Sequence, residues 1–186
     1  MLLTLTGGAG AGKTTLAHAL ASSAPRGPTS VLHGDDYYVT GPGRGVWTRD
    51  EAGVPRLDVG DPRSVDIERL NADTDTALAL APVVIVDGLF ARRVAPQWPG
   101  FRLDIYVDLP ADLRLARKIE RKCIRDGFPL DVLLRNYVTH RRDAHELHIE
   151  PLRDDCDVIT DGTLNPDVLA ERIWSAVAAR ELNHNS

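Results

Sequence analysis

Cysteine is scarce: there are two in 186 residues, Cys123 and Cys156. They fall into no metal-ligand or redox spacing, which argues against a metal module or a thiol redox centre and predicts reduced thiols in a cytoplasmic protein. No apolar run is long enough to span a membrane, and the apolar start is too short for a signal peptide, so no membrane partner is expected. Positive charge is not in excess either. The formal net charge of −5 argues against general nucleic-acid binding. No internal repeat or low-complexity stretch is visible. What is present is ordinary for a globular chain, 43% hydrophobic and 26% charged. It is long enough for one domain with a large core, read here as residues 1–182 with 183–186 as a frayed tail.

The most informative segment follows the first apolar run. Gly7-Gly8-Ala9-Gly10-Ala11-Gly12-Lys13-Thr14-Thr15 fits G-x-x-x-x-G-K-[ST], the phosphate-binding loop, without a mismatch. Its glycines let successive backbone N–H groups point inward around phosphate oxygens. Lys13 reaches the β- and γ-phosphates, and the Thr14 hydroxyl can ligate Mg²⁺. The flanks suit the motif. Residues 1–6 read as a buried parallel strand, and Leu16, Ala17, Ala19 and Leu20 give the next segment a helical apolar face. Residues 7–15 are therefore expected to bind a nucleotide.

Apolar runs at 2–6, 29–33, 83–87, 103–107 and 156–160 read as strands. Segments 13–23, 64–80, 110–126, 129–147 and 165–181 read as helices. The alternation predicts an α/β fold with a parallel five-stranded sheet covered on both faces. Residues 34–63 break the pattern with glycines and prolines and read as a long loop or small lid, expected to be functional. In such sheets ligands sit beyond the carboxyl ends of the strands, so the residues there are the candidates.

Asp87 ends the strand at 83–87, where an acid binds Mg²⁺ directly or through water. Asp35 follows the second strand and can accept a proton from a substrate hydroxyl and orient it towards the γ-phosphate. Asp36 is the lesser candidate, because adjacent carboxylates repel. Between Pro110 and Asp126 six basic residues face three acids, a local excess on an acidic chain. Arg114, Arg117 and Arg121 are spaced i, i+3, i+7 and are expected on one helix face, supplying positive charge to the migrating phosphoryl group. Lys118, Lys122 and Arg125 read as surface or adenine-side charges. Tyr38 and Trp47 are expected to meet the substrate, Trp47 as a pocket wall. His145 and His148 lie i, i+3 but lack a third ligand, so a zinc site is not supported.

Together these pieces resemble the uridine kinase-like branch of P-loop kinases, which also contains phosphoribulokinase, bacterial pantothenate kinase and nicotinamide riboside kinase. Thr6 to Ala17 is similar to the family's opening, and Asp35-Asp36-Tyr37-Tyr38 to its Asp-x-(Phe/Tyr)-Tyr element. Val84 to Ala91 resembles the strand ending Glu-Gly-(Ile/Leu)-Phe-Ala, with Asp87 for Glu. Asp104 to Asp108 with Arg114 to Ile119 is similar to the fourth strand and lid helix. His145 to Pro151 resembles His-Glu-Glu-Phe-Ile-Glu-Pro. The resemblance implies a P-loop NTPase of the nucleoside monophosphate kinase-like type, with an Arg-bearing lid at 110–128 and an acceptor loop at 34–63. It implies ATP and Mg²⁺ as cofactors and Asp35 as catalytic carboxylate. Two features depart from the pattern. Asp126-Gly127-Phe128 stands where uridine kinases carry further arginines, and the helix at 64–80 runs almost directly into Pro82-Val83, leaving out a nucleoside-gripping hairpin. Asp61-Pro62-x-Ser64-x-Asp66 is similar to the helix entry of smaller relatives such as nicotinamide riboside kinases.

The leading expectation is an ATP-dependent kinase for a small-molecule hydroxyl, by resemblance a nucleoside's ribose 5′-hydroxyl. Another riboside, sugar or specialised metabolite is the rival acceptor. A nucleotide-binding regulatory protein is the rival class, although no Asn-Lys-x-Asp element is there to read guanine. Apolar positions in 164–181 leave packing inside the domain or against a second copy in a homo-oligomer equally open.

Overall fold

The computed structural model describes residues 1–41, 43–49 and 54–184. In chain order its elements are β1 (Leu2–Thr6), α1 (Lys13–Ser22), β2 (Thr29–His33), β3 (Trp47–Arg49), β4 (Pro55–Leu57), α2 (Ile67–Leu80), β5 (Val83–Asp87), β6 (Arg102–Asp108), α3 (Ala111–Ile119), α4 (Leu130–Asn136), α5 (Arg142–His148), β7 (Val158–Asp161) and α6 (Pro166–His184). Five strands form one parallel sheet in the order β2-β5-β1-β6-β7.

The apolar runs explain that sheet. Leu2, Leu3, Leu5 and all of Val83 to Val86 are fully buried, which a strand achieves only with helices over both faces. Alternate side chains serve opposite faces. Leu3, Leu5, Ile85 and Ile105 pack with Leu16 and Leu20 of α1 and with Leu169, Ile173 and Val177 of α6. Leu2, Val84 and Val86 pack with Leu70 and Ala77 of α2 and with Tyr37. β1 therefore sits mid-sheet, and its carboxyl end opens between those of β5 and β6.

Several boundaries differ from the sequence reading for local reasons. The helix expected from residue 64 begins at Ile67, because Pro62–Ser64 forms a 3₁₀ turn and the Asp66 side chain caps α2 by accepting from the Arg69 N–H at 3.3 Å. The expected helix at 110–126 is α3 followed by a π-helical turn over Glu120–Arg125, and the one at 129–147 is α4 and α5 joined through a second π turn over Tyr137–Arg141. α6 continues to His184, into the expected tail, and residues 185–186 lie outside the described residues.

The described part of segment 34–63 holds more regular structure than a loop. It holds a 3₁₀ turn over Gly34–Tyr37 and an antiparallel hairpin pairing Trp47 with Leu57 and Arg49 with Pro55. Gly45, at φ +75°, starts that hairpin. A Cβ there would stand 2.6 Å from Val39 Cγ2 and 2.8 Å from Leu57 Cδ1, so only glycine lets the hairpin close this near. α2 ends at Leu80 and β5 starts at Val83, so nothing is inserted between them. No helix among the described residues is long and apolar enough to cross a membrane.

Candidate active site

A cleft of about 750 Å³ lies at the carboxyl edge of the sheet. One wall is the loop after β1, contributing Ala9, Gly10, Ala11, Gly12, Lys13, Thr14 and Thr15. The loop turns tightly, with the Ala11 N–H donating to the Gly8 carbonyl at 3.1 Å. At Gly10 (φ +88°) a Cβ would sit 2.7 Å from the Arg114 carbonyl, so the loop backbone lies directly on α3. Gly7 and Gly8 do not line the cleft. Gly7 packs on the Val107 backbone and Gly8 on the Arg114 side chain, so they shape the loop from behind.

Lys13 is buried, and its Nζ donates to the Gly8 carbonyl at 2.9 Å. Burial lowers its pKa to about 8; Asp87 and Asp35 act against that, and Arg114 and Arg121 add to it. A phosphate group would supply the negative charge this ammonium lacks.

Asp87 is 4% exposed, and both of its oxygens are engaged. The Thr14 hydroxyl donates to Oδ2 at 2.5 Å, and His33 Nδ1 lies 2.6 Å from Oδ1. The sheet explains this triplet. His33 and Asp87 are opposed residues of β2 and β5, so their side chains leave the same face together. Sequence reading missed His33. Its one signal is that it ends its strand as Asp87 does, and the register that pairs them is not written in either segment. Thr14 and Asp87 offer two hard oxygen donors at one point. Among the described residues no group of three or more His, Cys, Asp or Glu is placed to hold a metal. That donor set fits Mg²⁺, which takes few protein ligands and completes its shell with phosphate oxygens and water.

Facing the loop, Asp35 leaves the 3₁₀ turn exposed to the cleft, with Asp36 beside it. The two tyrosines part company. Tyr37 is buried beneath, its hydroxyl donating to Asp73 at 2.9 Å and its ring 4.4 Å from the Arg69 guanidinium. Tyr38 turns to the cleft, its hydroxyl donating to the Val59 carbonyl at 3.2 Å, and burial pushes its pKa well up.

The roof comes from α3 and its π turn. Arg117 donates to the Gly162 carbonyl at 3.1 Å and reaches the Ala11 carbonyl at 3.5 Å, and Arg121 lines the cleft beside it. Arg114 departs from the expected shared face. It does not line the cleft; its Nε donates to the Leu109 carbonyl at 2.9 Å and its guanidinium lies against Gly8, behind the loop. The third cation on the cleft is Arg125, paired with Glu120 at 2.5 Å. The π turn accounts for Arg125: with Asp126 N–H bonded to the Arg121 carbonyl, the helix widens and carries Arg125 round. Lys118, read as a surface or adenine-side charge, instead lines a small second pocket.

Trp47 lines neither cavity. It is 41% exposed, and its indole N–H donates to the Arg44 carbonyl at 2.7 Å in the segment leading into β3. The two histidines of α5 have separate partners, His145 Nε2 at 3.1 Å from Glu150 and His148 Nε2 at 3.9 Å from Asp61.

The profile of the Phosphoribulokinase / Uridine kinase family matches residues 60–168, more than half of the chain. The protein belongs to that family. A uridine kinase of Staphylococcus epidermidis is 25% identical over 202 residues, covering 96% of this chain and 98% of that protein. A uridine kinase of Deinococcus deserti is 26% identical over 204 residues, covering 92% and 94%. Among solved structures, a sugar kinase from Janibacter sp. superposes with a TM-score of 0.58 at 20% identity over 94% of this chain and 92% of its own, sharing the fold. Family membership makes the chain an ATP-dependent phosphotransferase acting on a hydroxyl.

Proposed function

We propose that the protein transfers the terminal phosphoryl group of ATP to the ribose 5′-hydroxyl of a nucleoside or related riboside. One observation carries the reading: Lys13, Thr14 and Asp87 converge on one wall of a single cleft, and Asp35 stands on the other. The loop N–H groups and Lys13 hold the β- and γ-phosphates. Thr14 and Asp87 would hold Mg²⁺, which when bound offsets charge on the phosphates. Asp35 accepts the acceptor's hydroxyl proton, and Arg117 and Arg121 stabilise charge on the transferred group. Arg114 acts indirectly, by fixing the loop against α3. The uridine kinase relatives support a nucleoside acceptor. A second reading, another riboside, sugar or specialised metabolite, is favoured by the direct run of α2 into β5.

The test is ADP release from ATP·Mg²⁺ with a panel of nucleosides, ribosides and sugars. Acceptor-dependent ADP with phosphorylated product is expected. ADP formed at the same rate with and without every acceptor would leave a nucleotide hydrolase or switch instead.

A further inference from the structure

Next to Ala9 of the phosphate loop lies a second pocket, about 80 Å³, walled by Val59 and Gly60 of the acceptor-side segment, by α3 and by α5 with the turn before it. Four of its lining residues are basic, Arg114, Lys118, Arg141 and His145, and none is acidic. The main cleft mixes Asp35, Asp36, Asp87 and Glu120 with its cations, so this one-sided charge is particular to the small pocket.

The charge is poorly compensated from within. Arg141 pairs with Asp58 at 2.7 Å. Among the described residues, Arg114 finds only the Leu109 carbonyl, and no carboxylate lies within ion-pair distance of Lys118. Burial lowers the Lys118 pKa, and its charged neighbours Arg141, Arg121 and Lys122 add to the fall. A half-buried ammonium ringed by cations is unfavourable unless an anion joins it. His145 completes the basic lining. It is nine-tenths buried, its Nε2 is committed to Glu150, and its Nδ1 has no hydrogen-bond partner. Its ring adds to the basic wall, and an anion is the partner that wall lacks. The phosphates of ATP are not that partner. The loop residues Gly12, Lys13, Thr14 and Thr15 line only the large cleft, whereas the small pocket adjoins it on the acceptor side through the shared residues Ala9, Val59 and Leu89.

We propose that this pocket is an anion subsite for the acceptor, so that the preferred acceptor is an alcohol carrying a carboxylate or phosphate group. Lys118 and Arg141 meet the charged oxygens. The inference rests on the kinase reading above and, within it, favours the second acceptor reading, a riboside, sugar or other metabolite, over a plain nucleoside.

Matched acceptor pairs test it: glucose and gluconate, uridine and orotidine, ribose and ribose 5-phosphate, each assayed with ATP·Mg²⁺ on the wild type, Lys118→Gln and Lys118→Arg. The acidic member of at least one pair is expected to show about tenfold higher kcat/KM than its neutral partner. The carboxylate and phosphate arms tell which anion is held. Lys118→Gln should remove that advantage through KM for the acceptor, with the affinity for a fluorescent ATP analogue retained as a check on folding, and Lys118→Arg should keep most of it. Neutral members used as well as acidic ones, or Lys118→Gln slowing both members alike, would overturn the anion subsite and leave the kinase reading standing. ADP formation independent of every acceptor would overturn both.

Discussion

At the scale of single residues, the site is a set of side chains whose partners define their work. Asp35 has the cleft before it and Lys13 opposite. Asp35→Asn keeps the volume and removes the proposed base, so kcat should fall by about 10²–10⁴-fold, the range of general base catalysis, while an ATP analogue still binds. Turnover close to wild type would take Asp35 out of the reaction. His33 works through Asp87. Its ring holds Oδ1 and so leaves Oδ2 to Thr14. His33→Leu should lower kcat about 10–100-fold and raise the Mg²⁺ concentration needed for half-maximal rate and for Mg²⁺-dependent binding of an ATP analogue. His33→Asn, which offers an N–H at a similar place, should recover part of both. An unchanged Mg²⁺ requirement in the leucine variant would reduce the histidine to packing. Lys13, Thr14 and Asp87 were legible in the sequence because a loop motif and a strand-ending acid are local signals. His33 was not, because its partner lies in a strand 54 positions away.

Secondary-structure elements decide which way each side chain faces. Helical spacing grouped Arg114, Arg117 and Arg121. The structure groups Arg117, Arg121 and Arg125 on the cleft, because α3 opens into a π turn that simple periodicity does not contain, and Arg114, in the first turns of α3, lies behind the loop against Gly8 and Gly10. The hairpin of β3 and β4 was hidden in a stretch dominated by turn residues, and it removes Trp47 from the cavity. α5 carries a pH-dependent consequence. Burial first, then Arg114, push the His145 pKa below its ordinary 6.5, with Glu150 opposing and Lys13 adding to the fall. The unfolded chain then takes up a proton at higher pH than the folded one, so stability is lost as pH falls below 6.5. Thermal melts between about pH 7 and about pH 5 should show Tm falling, and His145→Gln should flatten that slope. Identical slopes in the two proteins would mean that other groups carry the acid response.

For the molecule as a whole, the sheet order puts β1 between β5 and β6, so the phosphate loop, Asp87 and the lid meet at one edge while the helices bury the two faces of the sheet in hydrophobic clusters. α6 completes the core over α1, and Ile173, 2% exposed, sits inside it without touching the cleft. Ile173→Ala should therefore cost about 2–5 kcal/mol in urea unfolding and leave ATP-analogue affinity of the folded protein near wild type. A loss of affinity matching the loss of stability would show that the cleft depends on α6 packing. The sequence by itself determined the parallel α/β architecture, the phosphate loop, Asp87 and Asp35, because strand burial and loop chemistry are encoded in contiguous residues. The tertiary structure alone decided that His33 grips Asp87, that Arg114 and Arg125 trade places, that Trp47 stands aside, and that Lys118 shares a pocket with Arg141 and His145. Those outcomes depend on strand register, on one widened helical turn and on elements packed across the sheet, and contacts between distant segments leave no pattern in the segments themselves.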